Sequence, residues 1–268
     1  MKRTVDSIRG MKAGGERIAV ITGYDSRDRE LLDSAGVDVI LVGDSIGNVR
    51  LGYPDTTHVT LEDMMKAAAD VTSEKANALV VVDMPIHTYD TFEDAVKNAK
   101  RLVDAGGEAV KLEGGSEVAD MVKAIVDSGV DVMGHIAHTP QTEKKHRIKG
   151  RDEEDAGKLI GDARALEEAG AFAIVIELAD PEVAGRVTES VGVPTIGIGA
   201  GPRTDGQVLV LDDLVGWTDF SRFPGGRKPR FIGEWDTSSP EKAVGDFINK
   251  VKERAFPSEM ECYSVYKG

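Results

Sequence analysis

A single cysteine in 268 residues leaves no internal disulfide framework, and Cys262, close to the C-terminus, reads as a free thiol. The chain also lacks an apolar run of about 18 residues, which argues against a helical membrane span. Its first ten residues, MKRTVDSIRG, lack the hydrophobic segment of a signal peptide, so a cytoplasmic protein is expected. Positive charge is scarce: 33 Lys and Arg stand against 47 Asp and Glu, a formal net charge of −14. Such a surface repels phosphate backbones and anionic lipid, so neither nucleic acid nor membrane is an expected partner. General solubility and a salt-rich cytoplasm would both favour this composition.

What the chain does have is a rhythm. Four times an amphipathic stretch closes on a small residue plus Gly, and an apolar run follows: Ala35-Gly36 before VDVILV, Ala105-Gly106 before EAVKL, Ser128-Gly129 before VDVMG and Ala169-Gly170 before AFAIVI. Gly just past a helix takes the left-handed conformation at little cost. The repeat therefore predicts βα units and a parallel sheet. Between the runs, Phe92, Ala95, Val96, Ala99, Leu102 and Val103 keep helical spacing behind a capping Thr91, Thr60 with Asp63 opens a second helix, and Leu159, Ile160, Ala163, Leu166 and Ala169 mark a third.

With IAVIT (18–22) as first strand and PTIGIG as seventh, the eighth falls on GQVLVLDD (206–213), a stretch also compatible with a helix. The length suits one (β/α)8 TIM-barrel domain over residues 1–268 with a terminal helix, in which Ser239 is N-cap, Pro240 takes the first helical position, and Ala243, Val244, Phe247 and Val251 share a face. Residues 140–155, PQTEKKHRIKGRDEED, read as a polar lid, and 217–230 as irregular. Tyr263 and Tyr266 in the tail are expected to pack against another subunit.

In a parallel barrel the C-terminal strand ends converge on one mouth. Here they carry Asp44, Asp83, Lys111 with Glu113, His135 and Glu177, which points to an enzyme. One such acid is readily a helix cap or a loop-start ion-pair partner; three together repel by roughly 3 kcal/mol per pair at about 5 Å, unless protonated or bridged by a cation. An all-oxygen donor set suits a hard divalent ion, Mg2+ first. Lys111 and Glu113, two apart, share a strand face, which predicts an ammonium reaching up to Glu113 or to an anionic substrate. His135 fits a substrate donor, a group supporting the site, or a satisfied core residue. Glu177 ends the most apolar run, where desolvation would raise its pKa toward a range useful for proton transfer, and is the general-base candidate. GIGAG (197–201) lacks both the Walker lysine and the dinucleotide fingerprint, and is expected to mark close backbone approach.

Together ITGYD, LVGDSIGNVRLGY, VTLEDM, DMP, AVKLEGG, GHIAHTPQ, IKGR, LEEAGAFAIVIE and VPTIGIGAGPRTDGQVLV resemble the ketopantoate hydroxymethyltransferase family, in the family's order and over roughly four-fifths of the chain. The resemblance implies a barrel of the phosphoenolpyruvate mutase/isocitrate lyase type. It implies hydroxymethyl transfer from 5,10-methylenetetrahydrofolate to 3-methyl-2-oxobutanoate through a Mg-stabilised enolate, a step towards pantothenate and coenzyme A. By motif, Asp44, Asp83 and Glu113 look like the Mg2+ site, directly or through water; Asp44, Ser45, Asp83, Lys111 and His135 look like substrate contacts, and Glu177 the proton acceptor. A large ring-based homo-oligomer, such as a decamer, is the implied assembly. The chain departs from the family pattern at His58, at Lys66 and Ala67, and in the lid at Lys144, Lys145 and His146, all away from the metal and oxo-acid residues. A Mg-dependent 2-oxo-acid lyase or aldolase without folate is the alternative enzyme, and a non-catalytic metabolite-binding paralogue the alternative of another class.

Overall fold

Eight short strands, β1 (Ile18–Thr22), β2 (Val39–Val42), β3 (Leu79–Asp83), β4 (Ala109–Glu113), β5 (Val132–Ala137), β6 (Ala173–Glu177), β7 (Thr195–Ile198) and β8 (Gly206–Leu209), pair in sequence order, all parallel, and β8 closes on β1. The coordinates form a computed structural model that describes residues 2–143, 145, 147–222 and 226–267.

The strands are almost wholly buried because each has two apolar faces to satisfy. Alternate residues go opposite ways: Val39, Leu41, Leu79, Val81, Ala109, Met133, Ala173 and Val175 fill the barrel interior, while Ile40, Val42, Val80, Val82, Val110 and Leu112 meet the surrounding helices. The interior cluster also contains Ile8 and Met11 of the helix Val5–Ala13. That helix, fixed by a capping box between Thr4 and Ser7, closes the bottom of the barrel, and the sequence pattern had not announced it. The mouth at the other end is left to polar chemistry.

The predicted βα rhythm holds. Gly36, Gly106, Gly129 and Gly170 have φ of 81°, 116°, 91° and 101°, conformations that favour glycine. At Gly106 the constraint is also steric, since a Cβ would sit 1.9 Å from Thr72 Oγ1. Thr60, Thr91 and Ser239 cap their helices as expected.

Two expectations are sharpened. The stretch 206–213 is both things: β8 ends at Leu209, and a short helix, Leu211–Leu214, follows. The lid is shorter than 140–155, because Asp152 accepts from Asp155 N and starts the helix Glu153–Glu168. The tail also makes contacts within its own chain. Val265 N and Tyr266 N donate to Asp180 Oδ2 at 2.6 and 2.9 Å, Tyr266 contacts Arg186 and Glu153, and Tyr263 lies against Phe231 and Arg230. Two lid residues, Lys144 and His146, lie outside the described residues. Among the described residues no helix is long and apolar enough to cross a membrane.

Candidate active site

Asp83 and Lys111 are register partners on β3 and β4, so their side chains rise together on the inner face, with Lys111 Nζ 2.6 Å from Asp83 Oδ1. The predicted Lys111–Glu113 contact does not form. Residues two apart on a strand are separated by roughly 6.6 Å, whereas adjacent strands lie about 4.8 Å apart, so each charge pairs sideways rather than along its own strand. Glu113 accordingly pairs with His135, its register partner on β5, at 3.3 Å from Nδ1.

Asp44 follows β2. Its backbone N donates to Asp83 Oδ2 at 3.0 Å, and its own Oδ2 accepts from Gln141 Nε2 at 2.9 Å. Ser45 Oγ is 2.8 Å from the Tyr24 hydroxyl. Because Thr22 Oγ1 donates to that hydroxyl, the phenol proton is directed at Ser45, and the serine's own proton can serve an anionic ligand.

Asp44, Asp83, Lys111, Glu113 and His135 are each at most 6 % exposed, so water screens none of them well. Burial and the charges of Asp83 and Glu113 push the Asp44 carboxyl up to about 8. Burial also works to raise Glu113, but the His135 imidazole, with Lys111 and the Gln141 N–H, holds it below the usual carboxylate range. Burial opposes the charge on Lys111, yet Asp83, Glu113 and Asp44 keep its ammonium above the ordinary lysine value. His135 is driven up to about 9: burial and Lys111 act against its charge, and Glu113 and Glu177 prevail. Three acids face two cations, and Asp44 is the acid left uncompensated.

That imbalance is the test of whether a metal fits, and it favours one. The donors are hard oxygens, and an added cation would let Asp44 ionise. Both Glu113 oxygens are engaged, by His135 and by Gln141 N, as are both Asp83 oxygens, by Lys111 and by Asp44 N, which leaves Asp44 Oδ1 as the oxygen most open to direct ligation and suits contact through water at Glu113. Among the described residues no three His, Cys, Asp or Glu close into a ready-made cage. Few protein ligands, with positions for water and substrate, is the usual arrangement for Mg2+.

Glu177, at the end of β6, is not enclosed by apolar groups as its sequence suggested. Its side chain, 16 % exposed, lies between two imidazoles, with His135 Nε2 3.3 Å from Oε2 and His138 Nε2 4.0 Å from Oε1. The residues beside this contact are strained, since Ala137 and Leu178 have φ of 76° and 50° without being glycine. His138 Nδ1 in turn meets Glu143 Oε2 at 3.2 Å, and Glu143 Oε1 holds Lys149 Nζ at 2.5 Å. Lys149 is thereby committed to an ion pair, whereas Lys145 and Arg147, among the described lid residues, make no ion pair and are open to a ligand.

GIGAG marks close approach of the chain to itself: a Cβ at Gly199 would lie 2.7 Å from Leu178 Cδ2, and one at Gly201 2.5 Å from Pro181 Cβ. Sequence reasoning gave no role to Gln141, Tyr89, Tyr24 or His138. Gln141 stood within a family segment, GHIAHTPQ, but no spacing rule connects a loop residue to an acid on β2.

The electrostatics imply a pH dependence for the metal-free protein. The folded state raises His135 from 6.5 to about 9 and Asp44 from 3.8 to about 8, so it binds more protons than the unfolded chain. The His135 contribution is complete below its unfolded pKa and lost as pH climbs through about 9, and that of Asp44 declines from about 4 to about 8. The melting temperature of EDTA-treated protein should therefore fall between pH 6.5 and 9, and Mg2+ should restore more of it at the upper end. A melting temperature that rises with pH across this window would refute the charge assignment.

Comparison with known proteins identifies the family and the fold group. Residues 2–259 match the ketopantoate hydroxymethyltransferase family. A 3-methyl-2-oxobutanoate hydroxymethyltransferase of Ignicoccus hospitalis is 48 % identical over 264 residues, covering 96 % of this chain and 98 % of that protein. One from Nitrosopumilus maritimus is 44 % identical over 271 residues, covering 99 % and 95 %. Among solved structures, 2,3-dimethylmalate lyase, a member of the PEP mutase/isocitrate lyase superfamily, superposes with a TM-score of 0.60 at 18 % identity, over 95 % of this chain and 100 % of that one, which places the barrel in the same fold group. The chain belongs to the ketopantoate hydroxymethyltransferase family.

Proposed function

We propose that the protein transfers a hydroxymethyl group from 5,10-methylenetetrahydrofolate to 3-methyl-2-oxobutanoate, giving 2-dehydropantoate for the synthesis of pantothenate and coenzyme A. The observation that carries this reading is the division of the mouth. Asp44 and Asp83 follow or end β2 and β3, whereas Glu177 ends β6, on the far side of an eight-stranded ring. An oxo acid held by its oxygens at the first side extends its carbon end toward the second.

Asp44 and Asp83 would hold Mg2+, with Glu113 acting through water. When bound, the ion polarises the keto oxygen and stabilises the negative charge that develops when C3 loses its proton. Lys111 neutralises the substrate carboxylate, and Ser45 donates a hydrogen bond to it. His135, charged and held between Glu113 and Glu177, orients the acceptor carboxylate. Glu177 takes the C3 proton. One water supplies the hydroxyl oxygen: hydrolysis of the carrier's two C–N bonds to the methylene group frees the one-carbon unit at the oxidation level of formaldehyde and leaves tetrahydrofolate, the C3 carbanion adds to that carbon, and the new alkoxide takes the proton back from Glu177. Incubation with 3-methyl-2-oxobutanoate and Mg2+ in D2O, without carrier, tests this assignment. Deuterium should enter C3, and 2-dehydropantoate should form only once the carrier is added; retro-aldol cleavage of 2-oxo acids in place of one-carbon transfer would favour the lyase reading.

The carrier approaches from the lid. Lys145 and Arg147 would meet its anionic glutamate tail, and each charge-assisted contact is worth on the order of 1 kcal/mol or more. A Lys145→Ala/Arg147→Ala double variant should raise KM for the carrier several-fold and leave that for the oxo acid nearly unchanged. A larger effect on the oxo acid would place the carrier elsewhere.

A further inference from the structure

Gln141 lies in the loop after β5, yet it is buried, and its polar atoms reach acids delivered by other strands. Its backbone N donates to Glu113 Oε2 at 3.0 Å. Its Nε2 donates to Asp44 Oδ2 at 2.9 Å and to the Met84 carbonyl at 3.0 Å. Its Oε1 accepts from the Tyr89 hydroxyl at 2.6 Å. The orientation of the amide follows from chemistry: a carboxylate and a backbone carbonyl only accept, so the NH2 must face them, and the oxygen is turned toward a phenol that can donate. Tyr89, buried beside the same acids, thus holds the amide from its oxygen end in the orientation that the Met84 carbonyl requires.

We infer that Gln141 is a positioning residue for the cation site, with Tyr89 as the group that fixes its amide. Gln141 ties down one oxygen of Asp44 and one of Glu113, so that Asp44 Oδ1 is the oxygen presented to a cation and Glu113 is kept at water-bridged distance. It also links the loop that begins the lid to both acids. This inference rests on the Mg2+ reading proposed above and goes beyond it, because a neutral loop side chain with no proton to exchange is made responsible for the order of the ligands.

Calorimetric titration of Mg2+ into wild type, Gln141→Met, Tyr89→Phe and the double variant tests it without turnover. Met keeps the volume and removes the donors. The expected result is a Kd about 10- to 100-fold weaker for Gln141→Met, the usual range for an outer partner of a metal ligand. Tyr89→Phe should weaken binding by roughly three- to ten-fold, and the double variant should match Gln141→Met, because the phenol's bond to the amide, at 2.6 Å, is far shorter than its 3.4 Å contact with the Glu113 carbonyl. Circular dichroism melts establish that each variant is folded; if Gln141→Met is not, Tyr89→Phe alone decides. A folded Gln141→Met with wild-type Kd overturns the inference, as does a double variant whose loss is the product of the single losses. Unaltered Mg2+ binding by Gln141→Met leaves the proposed function standing, whereas a wild type that takes up no Mg2+ removes both.

Discussion

An Asp44→Asn variant should fold, bind Mg2+ poorly and lose most of its turnover, by about 10²-fold or more, since the metal's stabilisation of developing charge is worth several kcal/mol. Asp44 is the acid of the cluster that no side-chain cation neutralises, and its carboxyl is held up at about 8. Near neutral pH the metal-free carboxyl is therefore mostly neutral and an asparagine replaces it at nearly the same volume, so the metal-free variant should melt no lower than wild type. Asp83→Asn behaves differently although it loses the same ligand type. Asp83 is the partner of Lys111 at 2.6 Å, and an asparagine there leaves a buried ammonium unpaired. Breaking a buried pair in this way costs about 3–5 kcal/mol. Parallel measurement of Mg2+ affinity, turnover and melting temperature separates the two: both variants lose activity, and only Asp83→Asn loses stability. Full activity of either in the presence of EDTA would contradict the metal assignment.

Replacing Glu177 by Gln should lower turnover by about 10²-fold or more while leaving Mg2+ and oxo-acid binding in place, because the change removes a proton acceptor and little volume. The geometry adds a second expectation. Glu177 helps hold His135 charged, so the histidine pKa should fall in the variant, detectable by NMR titration of the imidazole. Wild-type turnover in Glu177→Gln would pass the proton to another group, with His135 the nearest alternative, its Nε2 3.3 Å from the same carboxylate.

Much of this site was legible from the chain because two periodicities locate it. The helix–Gly–strand repeat sets the barrel, and alternation along a strand sends Asp83, Lys111, Glu113 and Glu177 to the interior face of one mouth. Partner choice was not legible. Whether Lys111 meets Glu113 or Asp83 depends on cross-strand register, which a single strand does not encode, and register favoured the closer sideways neighbour. The surroundings of Glu177 were misjudged for a related reason: the apolar run that delivers it describes the strand, while its neighbours, His135 and His138, come from β5 and the loop beyond it. Gln141 and the helix Val5–Ala13 were hidden because each acts on elements remote in sequence, one across the mouth and the other across the base. The tail's contacts with Asp180 and Arg186 were hidden for the same reason, since they join elements remote in sequence.

The most direct test of the account is turnover of 3-methyl-2-oxobutanoate with 5,10-methylenetetrahydrofolate, measured on one preparation with Mg2+, with EDTA, and with Mg2+ restored. The predicted result is 2-dehydropantoate formed in stoichiometry with tetrahydrofolate, lost in EDTA and recovered when Mg2+ returns. Undiminished turnover in EDTA, or no one-carbon transfer with both substrates and Mg2+ present, would contradict it.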